Sequence, residues 1–146
     1  MKRILLFLLL FVLPSLASEG KTMVKVLKGD FEPFLRDVDD SGQDIKIEIN
    51  DFYLDVYPVT NSEFNGFLKK NPKWTKSKIT RAYADSDYLI HWEKDFLTKQ
   101  EEKNIGGYPV SNVSWFAANA YCRSHNKKLP TINQWEYASD AYDDAQ

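Results

Sequence analysis

Two groups of side chains have types and spacings that could do chemistry. The first is Asp37-Val38-Asp39-Asp40-Ser41-Gly42, followed after five residues by Glu48. In a calcium loop this spacing supplies oxygens from Asp37, Asp39, Ser41, the Gln43 carbonyl and Glu48, with Gly42 at the sharp turn. Such a loop sits between two helices. Pro33 argues against the entering helix, and Ile45, Ile47 and Ile49 alternate with Lys46 and Glu48 as in a strand. A solvated acidic loop without a specific calcium site is therefore expected. The second group is Cys122 and His125, three residues apart. On a helix an imidazole at that distance could turn the thiol into a reactive thiolate. A small hydrophobe on an apolar helix face is the simpler account of Cys122. His125 suits a helix C-terminus, where it meets the last carbonyls.

The remaining candidates are weaker. His91 is the only other histidine and reads as a packed loop residue beside Trp92, with no metal-ligand spacing around it. Asn112-Val113-Ser114 is a glycosylation sequon, but Ser114 is also placed to cap a helix. The chain has no glycine-rich phosphate loop and no nucleophile elbow. Residue chemistry alone thus names no catalytic, cofactor or metal site.

The elements around these residues begin with a leader. Lys2 and Arg3 precede the apolar run Ile4–Leu13, then Pro14 and the small residues Ser15 and Ala17. This is the layout of a secretory signal peptide over residues 1–17, cleaved after Ala17. Ten helical residues span about 15 Å, half a bilayer core, so a transmembrane anchor fits less well. A periplasmic or secreted chain without a membrane span is expected. Its net charge falls from −2 to −4 once Lys2 and Arg3 are removed, which leaves nothing to favour nucleic acid. Cys122 is the only cysteine. In an exported chain it is a buried thiol, an intermolecular link, or half of a bridge with a partner elsewhere.

Past the leader the pattern is α+β. Met23–Leu27 suits a first strand, residues 32–44 a loop, and Ile45–Ile49 a half-buried strand running toward Phe52-Tyr53-Leu54. Thr60 and Glu63 form a capping box, followed by Phe64, Phe67 and Leu68 on one helix face and a stop at Asn71-Pro72. Residues 73–107 are polar and aperiodic, a long excursion pinned by isolated aromatics. Ser114 opens a second helix, with Trp115, Ala118 and Cys122 on one face and a stop at Asn126. Thr131 and Gln134 open a third, with Trp135 and Ala138 to one side. Trp115 and Trp135 are expected as buried anchors of these helices. The two Tyr-Pro-Val triplets are too short to make a repeat.

The segments Phe52–Phe64, Tyr108–Cys122 and Asn126–Ala138 resemble the formylglycine-generating enzyme family, also called the sulfatase-modifying factor family. They carry its P-V-T-N-x-x-F, P-V-x-x-V-S-W-x-x-A-x-x-Y-C and L-P-T-x-x-x-W-E-Y-A patterns. Departures are Tyr108 for the usual His, Asn126-Lys127-Lys128 for Gly-Lys-Arg, and Ile132-Asn133-Gln134 for Glu-Ala-Glu. The resemblance implies a C-type-lectin-like fold with short strands, about three helices and long loops. It covers residues 23–146 as the N-terminal half of the family domain. The family's calcium loops and its copper-binding cysteine pair belong to the other half. Cys122 matches a position that the resemblance makes structural, able to pair with a later cysteine. Family members oxidise a sulfatase cysteine to formylglycine, act as iron-dependent sulfoxide synthases through histidines not found here, or bind without catalysis. The implied partners are a protein or peptide substrate, or a complementing polypeptide.

Overall fold

In a computed structural model the chain is described at residues 22–34, 38 and 41–143, the last three by backbone alone. The leader expected over residues 1–17 lies outside the described residues. Four strands come first: β1 (Met23–Val26), β2 (Gly29–Phe31), β3 (Ile47–Ile49) and β4 (Phe52–Asp55). Strand β1 pairs with β4 and β2 with β3, both antiparallel. Val26 faces Phe52 and Gly29 faces Ile49, so one register runs through both pairs and the four strands form one interrupted ribbon. At the interruption the Asp51 carboxylate replaces a ladder partner. It accepts from the Lys28 backbone N–H at 2.7 Å and pairs with Lys25 Nζ at 2.5 Å. The strand expected over Ile45–Ile49 starts at Ile47, because Ile45 remains exposed. Strand β2 lies just before the expected 32–44 loop, at residues for which no strand was expected.

Helix α1 (Asn61–Lys70) starts as its sequence predicts. The Thr60 backbone N–H donates to Glu63 Oε2 at 2.7 Å, and the Glu63 N–H donates to Thr60 Oγ1 at 3.3 Å. Its inner face, Phe64, Phe67 and Leu68, is almost wholly buried. Each such side chain contributes about 1.5–3 kcal/mol by leaving water. They meet Tyr88, Leu89 and Trp92 from the long excursion, and Ala117 and Tyr121 from α3 (Trp115–Ser124). Rings of Phe64, Phe67 and Tyr121 stand 5.4–5.8 Å apart. Leu89 is fully buried in a left-handed backbone conformation (φ 49°), held by its N–H donating to the Asn112 carbonyl at 2.8 Å.

The excursion is more regular than expected. A 3₁₀ turn (Pro72–Trp74) follows α1, and a helix α2 (Lys99–Ile105) lies inside it. Thr98 and Glu101 give α2 a complete capping box. With α4 (Ile132–Asp143) the described residues hold four α-helices where about three were expected. Helix α4 packs on the ribbon: the Tyr137 ring meets Phe31 at 5.8 Å between centroids, tilted by 52°, and Glu136 accepts from the Phe34 backbone N–H at 3.0 Å. Gly29 admits the Tyr137 hydroxyl where a Cβ would collide with it.

Two expectations about the later helices are corrected. Trp115 is 63% exposed and Trp135 62% exposed. The face of α3 that enters the core is Ala117 and Tyr121, with Ala120 and Cys122 beside them; of the expected stripe Trp115, Ala118 and Cys122, Cys122 packs against the core and Trp115 does not. Tyr121, not Trp115, is therefore the aromatic anchor of α3.

The two Tyr-Pro-Val segments lie against each other. Val110 N–H donates to the Val59 carbonyl and Asn61 N–H to the Tyr108 carbonyl, both at 2.9 Å, around a Thr60–Pro109 bridge. Asn61 locks the junction. Its amide donates to the Ile105 and Tyr108 carbonyls at 3.0 Å, and its carbonyl accepts the Trp92 indole N–H at 2.9 Å.

Candidate functional site

A cleft of about 560 Å³ opens between α1 and the end of α3, with Asp55 of β4 at its edge. It gathers the chemically capable side chains Asp55, Glu63, Tyr121, Cys122, His125 and Lys127. Each is placed by a local rule. Glu63 is the third residue of the capping box, and its carboxylate accepts from both the backbone N–H and the hydroxyl of Thr60. His125 ends α3. Its Nδ1 donates to the Tyr121 carbonyl at 2.9 Å, which meets one of the helix's unsatisfied carbonyls. The imidazole lies 4.4 Å from the Tyr121 ring, centroid to centroid.

Asn126 then turns the chain in the left-handed region (φ 56°). The N–H groups of Asn126 and Lys127 reach back to the Arg123 and Cys122 carbonyls at 3.2 and 2.9 Å, a Schellman stop. Asparagine is the side chain that best replaces glycine in that conformation, which accounts for Asn126 where the family pattern has Gly. The turn aims Lys127 at Asp55, with Nζ and Oδ1 2.5 Å apart.

Two groups of the cleft, Cys122 and Tyr121, are held in their neutral forms. Burial pushes the Cys122 thiol above its ordinary value; Asp55 adds to the rise and Lys127 opposes it. The Tyr121 hydroxyl is pushed up to about 12, chiefly by burial, with Glu63, Cys122 and Asp55 adding to it. His125 does not activate Cys122, since its Nδ1 is taken by the helix end and no hydrogen bond joins the two side chains. The expected structural role of Cys122 agrees with its place beside the core. Neither the Cys122 thiol nor the Tyr121 hydroxyl is activated by its surroundings in the cleft.

The described residues among the other sequence candidates do not gather at this cleft. Asp37 and Asp39 lie outside the described residues. Gly42 makes its turn at φ 82°. Glu48 projects from β3 opposite Asp30, in a strand rather than a helix, as the alternation indicates. Among the described residues no three His, Cys, Asp or Glu side chains are grouped to hold a metal ion. His91 is exposed, so the expectation that it packs in its loop is corrected; its neighbour Trp92 is the buried residue. Sequence reasoning missed Asp55 and Lys127. They are 72 positions apart, and only the turn at Asn126 hints that Lys127 faces inward. No described helix is long and apolar enough to cross a membrane.

The described residues form an α+β scaffold of four α-helices and small antiparallel sheets joined by long loops. Residues 12–146 match the family model described as the sulfatase-modifying factor enzyme 1-like domain, and the chain belongs to that family. It is 26% identical over 125 residues to the inactive C-alpha-formylglycine-generating enzyme 2 of Bos taurus, covering 69% of this chain and 42% of that protein. It is 28% identical over 116 residues to the formylglycine-generating enzyme of Streptomyces coelicolor, covering 64% and 37%. The Bos taurus formylglycine-generating enzyme is 29% identical over 117 residues, covering 64% and 31%. The chain thus spans about two-fifths or less of the length of these relatives.

Proposed function

We propose that this chain is the scaffold-forming part of an exported formylglycine-generating-type protein and has no cysteine-oxidising activity by itself. The observation that carries this reading is the state of Cys122. It is the only thiol in the chain, half-buried against the core and biased toward its protonated form. A copper centre of the kind the resemblance implies needs two converging thiolates, because soft thiolate ligands select Cu(I). This chain's residues do not fit that group. In this reading the oxidation of a substrate cysteine requires residues beyond those present here.

The test is to incubate the purified chain with Cu(I) and a peptide carrying a sulfatase-type target cysteine, and to follow aldehyde formation by mass spectrometry. No turnover is expected. Turnover lost in Cys122→Ser would overturn the proposal. Export is tested separately. Protein recovered from the extracytoplasmic fraction should begin at Ser18, and a cytosolic chain beginning at Met1 would remove that part of the reading.

A second reading, a non-catalytic binding module of the same fold, is favoured by the similarity to a relative whose name marks it as inactive. It predicts saturable binding of an unmodified client peptide by the chain alone, with no aldehyde formed.

A further inference from the structure

Charge is unevenly spread along a chain whose acidic residues outnumber its basic ones. Residues 69–81 hold six of the 19 lysines and arginines and no carboxylate. The stretch leaves α1 at its last turn and lies between the segments that carry the family patterns, so those patterns do not account for it. Tight turns fold it onto itself. The Trp74 N–H donates to the Asn71 carbonyl at 3.0 Å, Thr75 to Pro72 at 3.2 Å, and Lys78 and Ile79 to Thr75 at 3.0 and 2.9 Å. Thr75 is buried at the centre, and its hydroxyl donates to the Pro72 carbonyl at 2.8 Å. Lys76 turns inward and donates to the Trp92 carbonyl at 2.8 Å. Lys69, Lys70, Lys73, Lys78 and Arg81 are left exposed, and among the described residues none of them forms an ion pair. Two carboxylates stand at the border. Asp95 accepts the N–H and hydroxyl of Ser77 at 2.7 and 2.6 Å, and Asp85, which shares a cleft with Arg81, accepts the Asp87 N–H at 3.0 Å. They offset only part of the positive charge.

We propose that this cationic segment docks the protein on the surface of an anionic phospholipid bilayer. Charge complementarity calls for a polyanion, and three observations select a bilayer among polyanions. Five of the six cations are lysines. An ammonium is a compact point charge without the planar fork that grips a phosphate in two places, so it suits a field of mobile headgroups. The exposed cations do not converge on one pocket either. Lys69, Lys70 and Arg81 border three separate clefts, which makes the charge a broad surface instead of a single-phosphate site. Finally, the segment offers no free ring face on which nucleobases could stack. Its one aromatic residue, Trp74, lies under Lys73 Nζ at 5.4 Å and against the Tyr83 ring at 6.1 Å. At about 0.1 M salt each charge reaches only about 10 Å, so the segment acts without the acidic surface elsewhere on the chain. The contact is peripheral and electrostatic.

The test is co-sedimentation of the whole purified chain with lipid vesicles at about 0.1 M salt, with lipid titrated to give a partition constant. One set of vesicles is phosphatidylcholine alone, and the other contains about a third phosphatidylglycerol. Stronger partition to the anionic set is expected. The neutral set reports any partition through the apolar run Ile4–Leu13, which is common to both. A lysine near an anionic surface contributes about fivefold in affinity. The variant Lys70→Gln/Lys73→Gln/Lys78→Gln should therefore lower the anionic partition constant about 100-fold and leave the neutral one unchanged. The variant Lys28→Gln/Lys103→Gln/Lys128→Gln removes the same charge from exposed positions elsewhere and should change neither by more than about threefold. Circular dichroism should show both variants folded, since the replaced ammonium groups lie in solvent. The anionic preference should vanish at about 1 M salt, where the screening length is about 3 Å. Equal partition to the two sets, equal losses in the two variants, or a preference that persists at high salt overturns the proposal. So does tighter binding of duplex DNA or of an acidic peptide than of anionic vesicles at the same salt and the same concentration of negative charge, which would make the occupant a soluble polyanion.

Discussion

Asn61 shows how one side chain can hold together segments distant in sequence. It is 6% exposed and satisfies two backbone carbonyls and one indole N–H at the meeting of α1, α2 and the Tyr-Pro-Val junction. Asn61→Ala strips the Trp92 indole N–H of its acceptor, while the Ile105 and Tyr108 carbonyls each keep a backbone donor. A buried unsatisfied group costs about 1–3 kcal/mol, so a loss in that range is expected in urea denaturation. Asn61→Asp should be worse, because it removes both amide donors and places a charge in the core. A change below about 0.5 kcal/mol for either would show that the network does not hold the junction. Cys122 gives a chemical prediction at the same scale. With its thiol raised by burial, its reaction with a disulfide reagent at pH 7.5 should be slower than that of the urea-unfolded chain. A native rate above the unfolded one would mean that the cleft activates the thiol.

Helix starts were the most legible elements, because a capping box is a local code. Thr60–Glu63 was read from sequence, and Thr98–Glu101 carries the same signal for α2. That second signal was obscured because Lys99–Ile105 shows little apolar periodicity, and none of its residues is buried. Helix faces were less legible. Trp115 and Trp135 occupy plausible apolar stripes, but size and hydrophobicity do not tell which side a helix presents to its neighbours. Tyr121 won that place on α3 by fitting between Phe64 and Phe67. The end of α3 is again local, and Asn126 provides the test. A non-glycine residue in the left-handed conformation costs about 1–2 kcal/mol, with asparagine among the least penalised. Asn126→Ala should therefore lower stability by about 1 kcal/mol, and Asn126→Gly should leave it equal or slightly higher. Equal losses in both variants would assign the role of Asn126 to its side chain instead of its backbone.

At the scale of the whole molecule, the ribbon was only half legible: β2 is three residues long, and its continuity with β1 depends on Asp51 bridging across the gap. The core was read correctly at α1, but Tyr88, Leu89 and Trp92 come from a segment whose order depends on tertiary contacts that no periodicity announces. That composition sets the response to pH. Tyr88, Tyr121 and Cys122 all pack within or against one core, and burial raises the ionisation of each above its ordinary value, 10.0 for the tyrosines and 9.0 for the thiol. All three are neutral in folded and unfolded chains below about pH 8, so they contribute no slope there. As pH rises through 9 and then 10, the unfolded chain ionises first and is stabilised relative to the folded one. The stabilising difference is therefore complete below the unfolded values and is lost as pH approaches the raised folded ones, about 12 for Tyr121. Urea midpoints should be level between pH 7 and 8, decline from about pH 9, and fall more steeply above 10. Tyr121→Phe keeps the ring contacts with Phe64 and Phe67 and removes one titration, so it should flatten the decline. A profile level to pH 11, or one equally steep in Tyr121→Phe, would show that the Tyr121 hydroxyl is hydrated rather than buried against α1.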